Sequence, residues 1–412
     1  MMIDITEYGA VGDGKTVNTK AISAAIGACH RNGGGTVVVP TGVFLTGSIE
    51  LVSNVTLYLD SGCTLRATGK SDDFPYIGFY HNEMHETTSV IWAQNQQNVS
   101  ICGNGTIDLN ADAYYGEDTK KIYDGEPSES NKQHFIFRKN EDRINQPLFF
   151  ESCRNVKVEN INIIHSPCWT VTFSRSSDIV VCGVTIRNSP HVPNDDGIHL
   201  SACRNALISN CNISCLDDCI AVTSITAHGQ ENSHIGITNC ILSSRSSAIR
   251  LGHKISDVTV SNVNIYDNNR GIGIFTAKNG YIQNVAVNNV IMHNRLFESV
   301  CWGKGEAVVI AAAFPETYIR NLKFSNIVAS AANGILIFGN GNNIQDVTFD
   351  NVQIQLEAGK RADSFMDLRP YYQKQCRGKA IKKWVKGAKK VRWHNTKISF
   401  SPHGAPKDPK KA

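Results

Sequence analysis

The sequence of 412 residues is poor in what several large protein classes require. Its longest uninterrupted apolar run, Ala307 to Phe314, falls far short of the roughly 18 to 20 residues that span a bilayer, so neither a membrane helix nor a membrane partner is expected. Charge is sparse: Asp, Glu, Lys and Arg make up 19% of the chain against 41% apolar residues. With 33 Gly and 12 Pro, that balance excludes a disordered, collagen-like or coiled-coil chain. Helical periodicity is nearly missing, and Asn18 to His30 (NTKAISAAIGACH) is the one convincing amphipathic stretch. The start, MMIDITE, has no basic-then-apolar leader, so cytoplasm is the expected compartment, or secretion if a leader has been removed. The 13 Cys are odd in number and spread from Cys29 to Cys376 without metal-finger spacing. Reduced core thiols are therefore expected, with no disulfide framework, no metal and no cofactor.

Lys and Arg number 41 and Asp and Glu 37, a net charge of +4 that hides an asymmetry. Residues 361–412 hold 15 of the basic and 3 of the acidic residues, so this segment carries +12 and residues 1–360 carry −8. Ala380 to Lys390 (AIKKWVKGAKK) reads as a solvated face over one aromatic anchor, and no nucleic acid is expected as a partner. The segment can pack on its own barrel or on a neighbouring subunit, so a homo-oligomer is compatible with it.

What the chain does have is a repeat. Apolar-x-apolar-x-Asn recurs at VKVEN (Asn160), ALISN (Asn210), IGITN (Asn239), VTVSN (Asn262), VAVNN (Asn289), LKFSN (Asn326), VTFDN (Asn351) and VRWHN (Asn395). Each is a period-two strand followed by a residue that favours a turn. Several steps fall between 23 and 29 residues, and no helix fits inside them. Short β runs at this spacing predict an all-β parallel solenoid, with rungs about 4.8 Å apart. Asn at one coil position predicts an inward ladder of stacked amides.

Open solenoid ends are unpaired sheet edges and need covers. The Asn18–His30 helix sits where an N-terminal cap belongs. Over residues 71–146 the rhythm is interrupted, VSICGNGTIDL excepted, by polar and aromatic stretches suited to a cleft wall. One domain over residues 1–412 is expected, with that excursion and the basic segment 361–412 as its irregular parts.

The densest chemistry lies in residues 191–224. Two acidic pairs, Asp195-Asp196 and Asp217-Asp218, stand close to one coil apart, which in a solenoid places Asp196 and Asp217 on adjacent rungs. Neighbouring carboxylates repel, which splits their proton affinities as an acid/base pair requires.

Asn194-Asp195-Asp196-Gly197 and Leu216-Asp217-Asp218-Cys219-Ile220-Ala221 resemble the two acidic motifs of glycoside hydrolase family 28, the polygalacturonase family. EYGAVGDGKTVNTKAI (Glu7 to Ile22), GGGTVVVPTGVF (Gly33 to Phe44) and GNGTIDL (Gly103 to Leu109) are similar to its N-terminal half. The resemblance implies a right-handed parallel β-helix and metal-free, inverting hydrolysis. Asp217 would be the general acid, and Asp196 and Asp218 would activate the water, with acid and base carboxyls roughly 6.5 to 9.5 Å apart. The family's Gly-His-Gly is here Ser246-Ser247-Ala248, and its Arg-Ile-Lys position reads Arg270-Gly271-Ile272. Asp195 stands where Thr is usual. Arg250 and Arg270 could therefore hold an anion from new positions or pair with the surplus carboxylates.

Other substrate-binding candidates are Asn194, Asp195, His199 and His253 beside these motifs, and Trp302, Lys304 and Glu306 in a Gly-flanked loop where an indole can stack on a sugar and charged groups can bond hydroxyls. The expected activity is exo-acting hydrolysis of an oligosaccharide of pectin type or a related glycan. The alternatives are a lyase or epimerase on a uronide, or a carbohydrate-binding solenoid without catalysis.

Overall fold

Strands that alternate apolar and polar residues can bury one face only by stacking, and here they stack in parallel and in register. The computed structural model describes residues 1–81, 85–115, 143–224, 230–297, 303–357, 365–367, 373–375 and 380–401. The chain falls into two compact units, Met1–Leu216 with Ser224–Gly236, and Asp217–Thr223 with Ile237–Ala412. The fold class is the right-handed parallel β-helix.

In the first unit, Ile49–Glu50, Ile91–Gln94, Leu148–Glu151, Val171–Ser174 and Ile198–Ser201 pair successively as parallel strands. A second face runs through Gln97–Gly103, Arg154–Glu159, Ser177–Cys182 and Arg204–Ser209. Its register aligns Ile101, Val158, Val181 and Ile208 in one buried column. The helix Thr19–Arg31 buries Ile22, Ala25, Ile26, Ala28 and Cys29 and packs on Met2–Asp4 and Gly35–Val39, in the place expected of a cap. Asn18 does not cap it with its side chain. Its amide instead bonds the Val11 N–H at 2.7 Å and the Thr16 carbonyl at 2.7 Å, closing the preceding turn.

In the second unit, Ile220–Thr223, Ser247–Gly252, Arg270–Phe275, Glu306–Ala312, Asn333–Gly339 and Lys383–Lys386 pair in the same manner. Alongside run the long strands Lys254–Asn268, Tyr281–Asn294, Tyr318–Ala331 and Ile344–Leu356. One column here is aromatic: Phe324 stacks on Phe349 at 4.8 Å, and Phe349 on Trp393 at 4.6 Å. The described part of the basic segment is a further coil, since Ala388–His394 and Lys397–Phe400 both pair with Ile344–Leu356. Trp384 anchors it by lying parallel to Phe338 at 5.7 Å.

The ladder of repeat asparagines faces outward, which corrects the inward placement expected from the sequence. Asn160, Asn210, Asn239, Asn262, Asn289, Asn326, Asn351 and Asn395 are exposed, each with φ between 41° and 58°. They are the corner residues at which the chain must turn through the left-handed region, which Asn tolerates better than other residues with a side chain. Their amides do link rungs, as in Asn289 to Asn262 at 2.7 Å and Asn351 to Asn326 at 2.7 Å. A separate inward set exists, with Asn268 and Asn294 fully buried and bonded to each other at 3.2 Å.

The interrupted region 71–146 contains the antiparallel hairpin Tyr76–His81 and His85–Thr88. Residues from Ile91 to Asp108 then rejoin the coil pattern. Residues 116–142 lie outside the described part. All eleven described cysteines are free thiols, nine of them buried, and burial pushes Cys168 up to about 11 and Cys203 up to about 12. No helix among the described residues is long and apolar enough to cross a membrane.

Candidate active site

Each acidic pair sits in a turn immediately ahead of a strand. Asp196 stands two residues before Ile198–Ser201, and Asp218 two residues before Ile220–Thr223. Polar side chains help to close these turns, and the Asp195 and Asp218 carboxylates each accept a backbone N–H.

In the first unit, Asp195 is fully buried, and its two oxygens accept the Leu216 N–H at 2.9 and 3.2 Å. Its carbonyl accepts Asn188 Nδ2 at 3.0 Å, and the same nitrogen donates to Thr170 Oγ1 at 2.8 Å. Asn194, with φ 52°, offers Oδ1 to Arg143 at 3.2 Å. Arg143 also donates to the carbonyls of Pro167 at 3.1 Å and Pro193 at 3.0 Å, and to the Tyr115 hydroxyl at 2.8 Å. Burial pushes the Tyr115 phenol up, against the pull of Arg143. Asp196 is 3% exposed, with its carboxylate 3.4 Å from His199 Nδ1. The His199 ring lies against Trp169 at 4.0 Å between centroids.

In the second unit, Asp218 is 2% exposed. Its Oδ1 accepts the Ser247 N–H at 3.0 Å and the Ser246 hydroxyl at 3.2 Å, while Oδ2 lies 3.4 Å from Arg250. Asp217 beside it is half-buried, and its carbonyl accepts the Ser244 hydroxyl at 2.5 Å. Two neighbouring carboxylates thus have different environments, one clamped and one with access to solvent.

Of the two readings open for the arginines, the structure displays pairing. Arg250 meets Asp218, and Arg270, 1% exposed, lies with Nε 3.5 Å from Glu306 Oε2 and its guanidinium 5.0 Å from the Phe275 ring centre. Glu306 is itself fully buried and accepts the Lys304 N–H at 2.7 Å. Gly303 makes this approach possible: at φ 114° a Cβ would stand 3.1 Å from Arg270 Cβ and 3.3 Å from Glu306 Oε2. Asp195, Arg270 and Glu306, proposed from sequence as sugar contacts, therefore lie inside the wall. Lys304 is half-buried, and its carbonyl accepts Asn333 Nδ2 at 2.7 Å. His253 is half-buried, with φ 69° and its N–H on the Phe275 carbonyl at 3.1 Å. Trp302 lies outside the described residues.

Sequence reasoning missed Arg143, which lies about 50 residues from the turn it ties down and carries no motif. It also missed Trp169, although that residue stands two positions ahead of Val171–Ser174 as Asp196 does ahead of its own strand.

The family model for Glycosyl hydrolases family 28 matches residues 29–376. A probable polygalacturonase of Vitis vinifera is 29% identical over 312 residues, 70% of this chain and 60% of that protein. An exopolygalacturonase of Zea mays is 27% identical over 64% of this chain and 58% of its own length. The chain thus spans about 60% of the length of these relatives. Among solved structures, a hyperthermoactive exopolygalacturonase from Thermotoga maritima aligns with TM-score 0.72 at 21% identity, covering 86% of this chain and 87% of that one.

Proposed function

The chain belongs to Glycosyl hydrolases family 28, and from that membership we propose that it hydrolyses a glycosidic bond in an oligosaccharide of pectin type or a related glycan. Asp217 donates the proton to the leaving oxygen, and Asp196 and Asp218 activate the attacking water. The observation that carries the assignment is the contrast within the second pair. Asp218 is fixed by two donors and Arg250, as suits a group that must aim a water, whereas Asp217 keeps the access to solvent that a proton donor to a bound substrate needs.

The proposed mode is inverting, with water attacking the face opposite the leaving group, a chemistry that calls for acid and base carboxyls roughly 6.5 to 9.5 Å apart. Exo action is the favoured mode, supported by the likeness to the Zea mays enzyme.

The test is a reducing-sugar and chromatographic screen of the wild type against Asp217→Asn on uronide, rhamnosyl, galactosyl and xylosyl oligosaccharides, with the anomer of the product read by NMR. Release by the wild type alone, with inversion, supports the reading. Release that survives the substitution removes Asp217 as the acid. An unsaturated product absorbing near 235 nm would replace hydrolysis by elimination.

A further inference from the structure

On the first unit's sheet, Leu148, Phe150, Val171, Phe173, Ile198 and Leu200 alternate with a second set that points the other way. The first set is apolar and faces the coil interior, where Phe150 stacks on Phe173 at 5.0 Å. The second set is mostly polar and equally buried. The register aligns Glu151, Ser174 and Ser201 in one column, and Phe149, Thr172 and His199 in the next, with every one of these residues 1% exposed or less.

Thr172 Oγ1, Ser174 Oγ, Ser201 Oγ and Glu151 Oε2 carry no hydrogen bond, although each is shut off from solvent. Buried polar atoms without partners are rare in folded proteins, and here Glu151, Thr172, Ser174 and Ser201 hold them on one face of three adjacent rungs. Trp169 lies against His199 on this face, and the hairpin Tyr76–His81 and His85–Thr88 reaches Phe149. Its Phe79 ring lies 5.1 Å from Phe149 and under the Arg175 guanidinium at 5.4 Å.

We propose that Glu151, Thr172, Ser174 and Ser201 form a subsite for a neutral, hydroxyl-rich pyranose ring, which enters when the hairpin lifts Phe79 from Phe149. The proposal deepens the hydrolase reading, on which it rests, by naming the sugar class. Each protein hydroxyl offers one donor and spare acceptor capacity, and sugar hydroxyls complement either. Glu151 sets the selectivity. Its Oε1 is taken by Arg175 Nε at 2.5 Å and by the Ser152 hydroxyl at 2.8 Å. Oε2 remains as an acceptor for a sugar O–H, and it repels a uronate carboxylate. Arg175, committed to Glu151, does not supply the cation that a uronate would require.

The experiment is ligand-observed NMR titration of the whole protein with methyl galactopyranoside, methyl rhamnopyranoside and methyl xylopyranoside against methyl galacturonide, alongside thermal unfolding. Binding is read without turnover, so a failed hydrolysis screen leaves this readout standing. The wild type is expected to bind at least one neutral glycoside and to bind the galacturonide more weakly. Thr172→Val and Ser201→Ala each weaken that binding about tenfold or less, the value of one hydrogen bond, while raising the melting temperature, because each removes a buried hydroxyl that has no partner in the closed state. A hydroxyl with only a structural role would not move the two quantities in opposite directions. Equal or tighter binding of the galacturonide, unchanged affinity in both variants, or no binding of any neutral glycoside overturns the proposal.

Discussion

Asp195 grips the backbone of the next acidic turn: both of its carboxylate oxygens accept the N–H of Leu216, the residue that precedes Asp217. A buried charge-assisted hydrogen bond of this kind is worth about 1.5 to 3 kcal/mol, and removing the acceptor leaves the Leu216 N–H orphaned. Asp195→Ala should therefore lower unfolding stability by about 2 to 3 kcal/mol. Asp195→Asn, which keeps one acceptor oxygen, should lose about half of that. Urea midpoints with an unchanged m-value would show it. Equal stability of Asp195→Ala and the wild type would remove the anchor role.

Asp217 is half-buried, and its backbone carbonyl accepts the Ser244 hydroxyl, a bond that a change of its side chain to the amide leaves in place. Asp217→Asn is accordingly expected to fold with wild-type circular dichroism and to lose about 10² to 10⁴ in kcat, the usual contribution of a general acid. A variant that retains activity within a few-fold would displace the acid to another residue.

Arg250 and Asp218 make the opposite case. Asp218 is buried, so deleting its cationic partner leaves a carboxylate held by Ser246 and Ser247 alone. Arg250→Met should cost about 3 kcal/mol in stability, since removing one partner of a buried pair strands the other charge. Arg250→Lys should recover part of this, because it restores the charge without the planar fork. If Arg250 instead served the substrate, Arg250→Met would raise KM and leave unfolding untouched.

Much of this architecture was legible, because an apolar-x-apolar run closed by Asn states both the strand and the turn. Its direction was misread at one point. Period two says which strand residues share a face, but it is silent on the residue after the strand, and Asn351 or Asn262 sits there because φ near 55° is required, not because an amide ladder needs an interior. The acidic pairs were legible through spacing and motif. Their supports were not, since Arg143 joins Asn194, Pro167 and Pro193 only through folding, and the Arg270–Glu306 contact bridges 36 residues by way of a glycine whose φ no pattern announces. Burial of charged groups was the quantity furthest from reach, because Glu306 and Asp217 read alike until one is enclosed and the other is not.

A last prediction concerns pH. His165 Nδ1 lies 3.1 Å from Asp108 Oδ1, and Arg66 Nε lies 3.3 Å from Oδ2. The bond to Asp108 raises His165 above its ordinary 6.5 against the opposing effect of burial. Burial alone would raise Asp108, but the bonds from His165 and the Asn110 N–H, with the nearby charges of His165 and Arg66, outweigh it and hold the carboxyl below 3.8. A raised histidine contributes stability that is complete below about 6.5 and disappears as pH climbs through the raised value. A lowered carboxyl contributes stability present above about 3.8 and lost as pH falls through the lowered value. The pair therefore helps most between those limits. His165 is half exposed, so the gain is no more than about 1 kcal/mol and shrinks with added salt. Thermal unfolding of His165→Ala should fall further below the wild type at about pH 5 than at about pH 8.5, and a gap of equal size at both would show that the contact acts by packing rather than by charge.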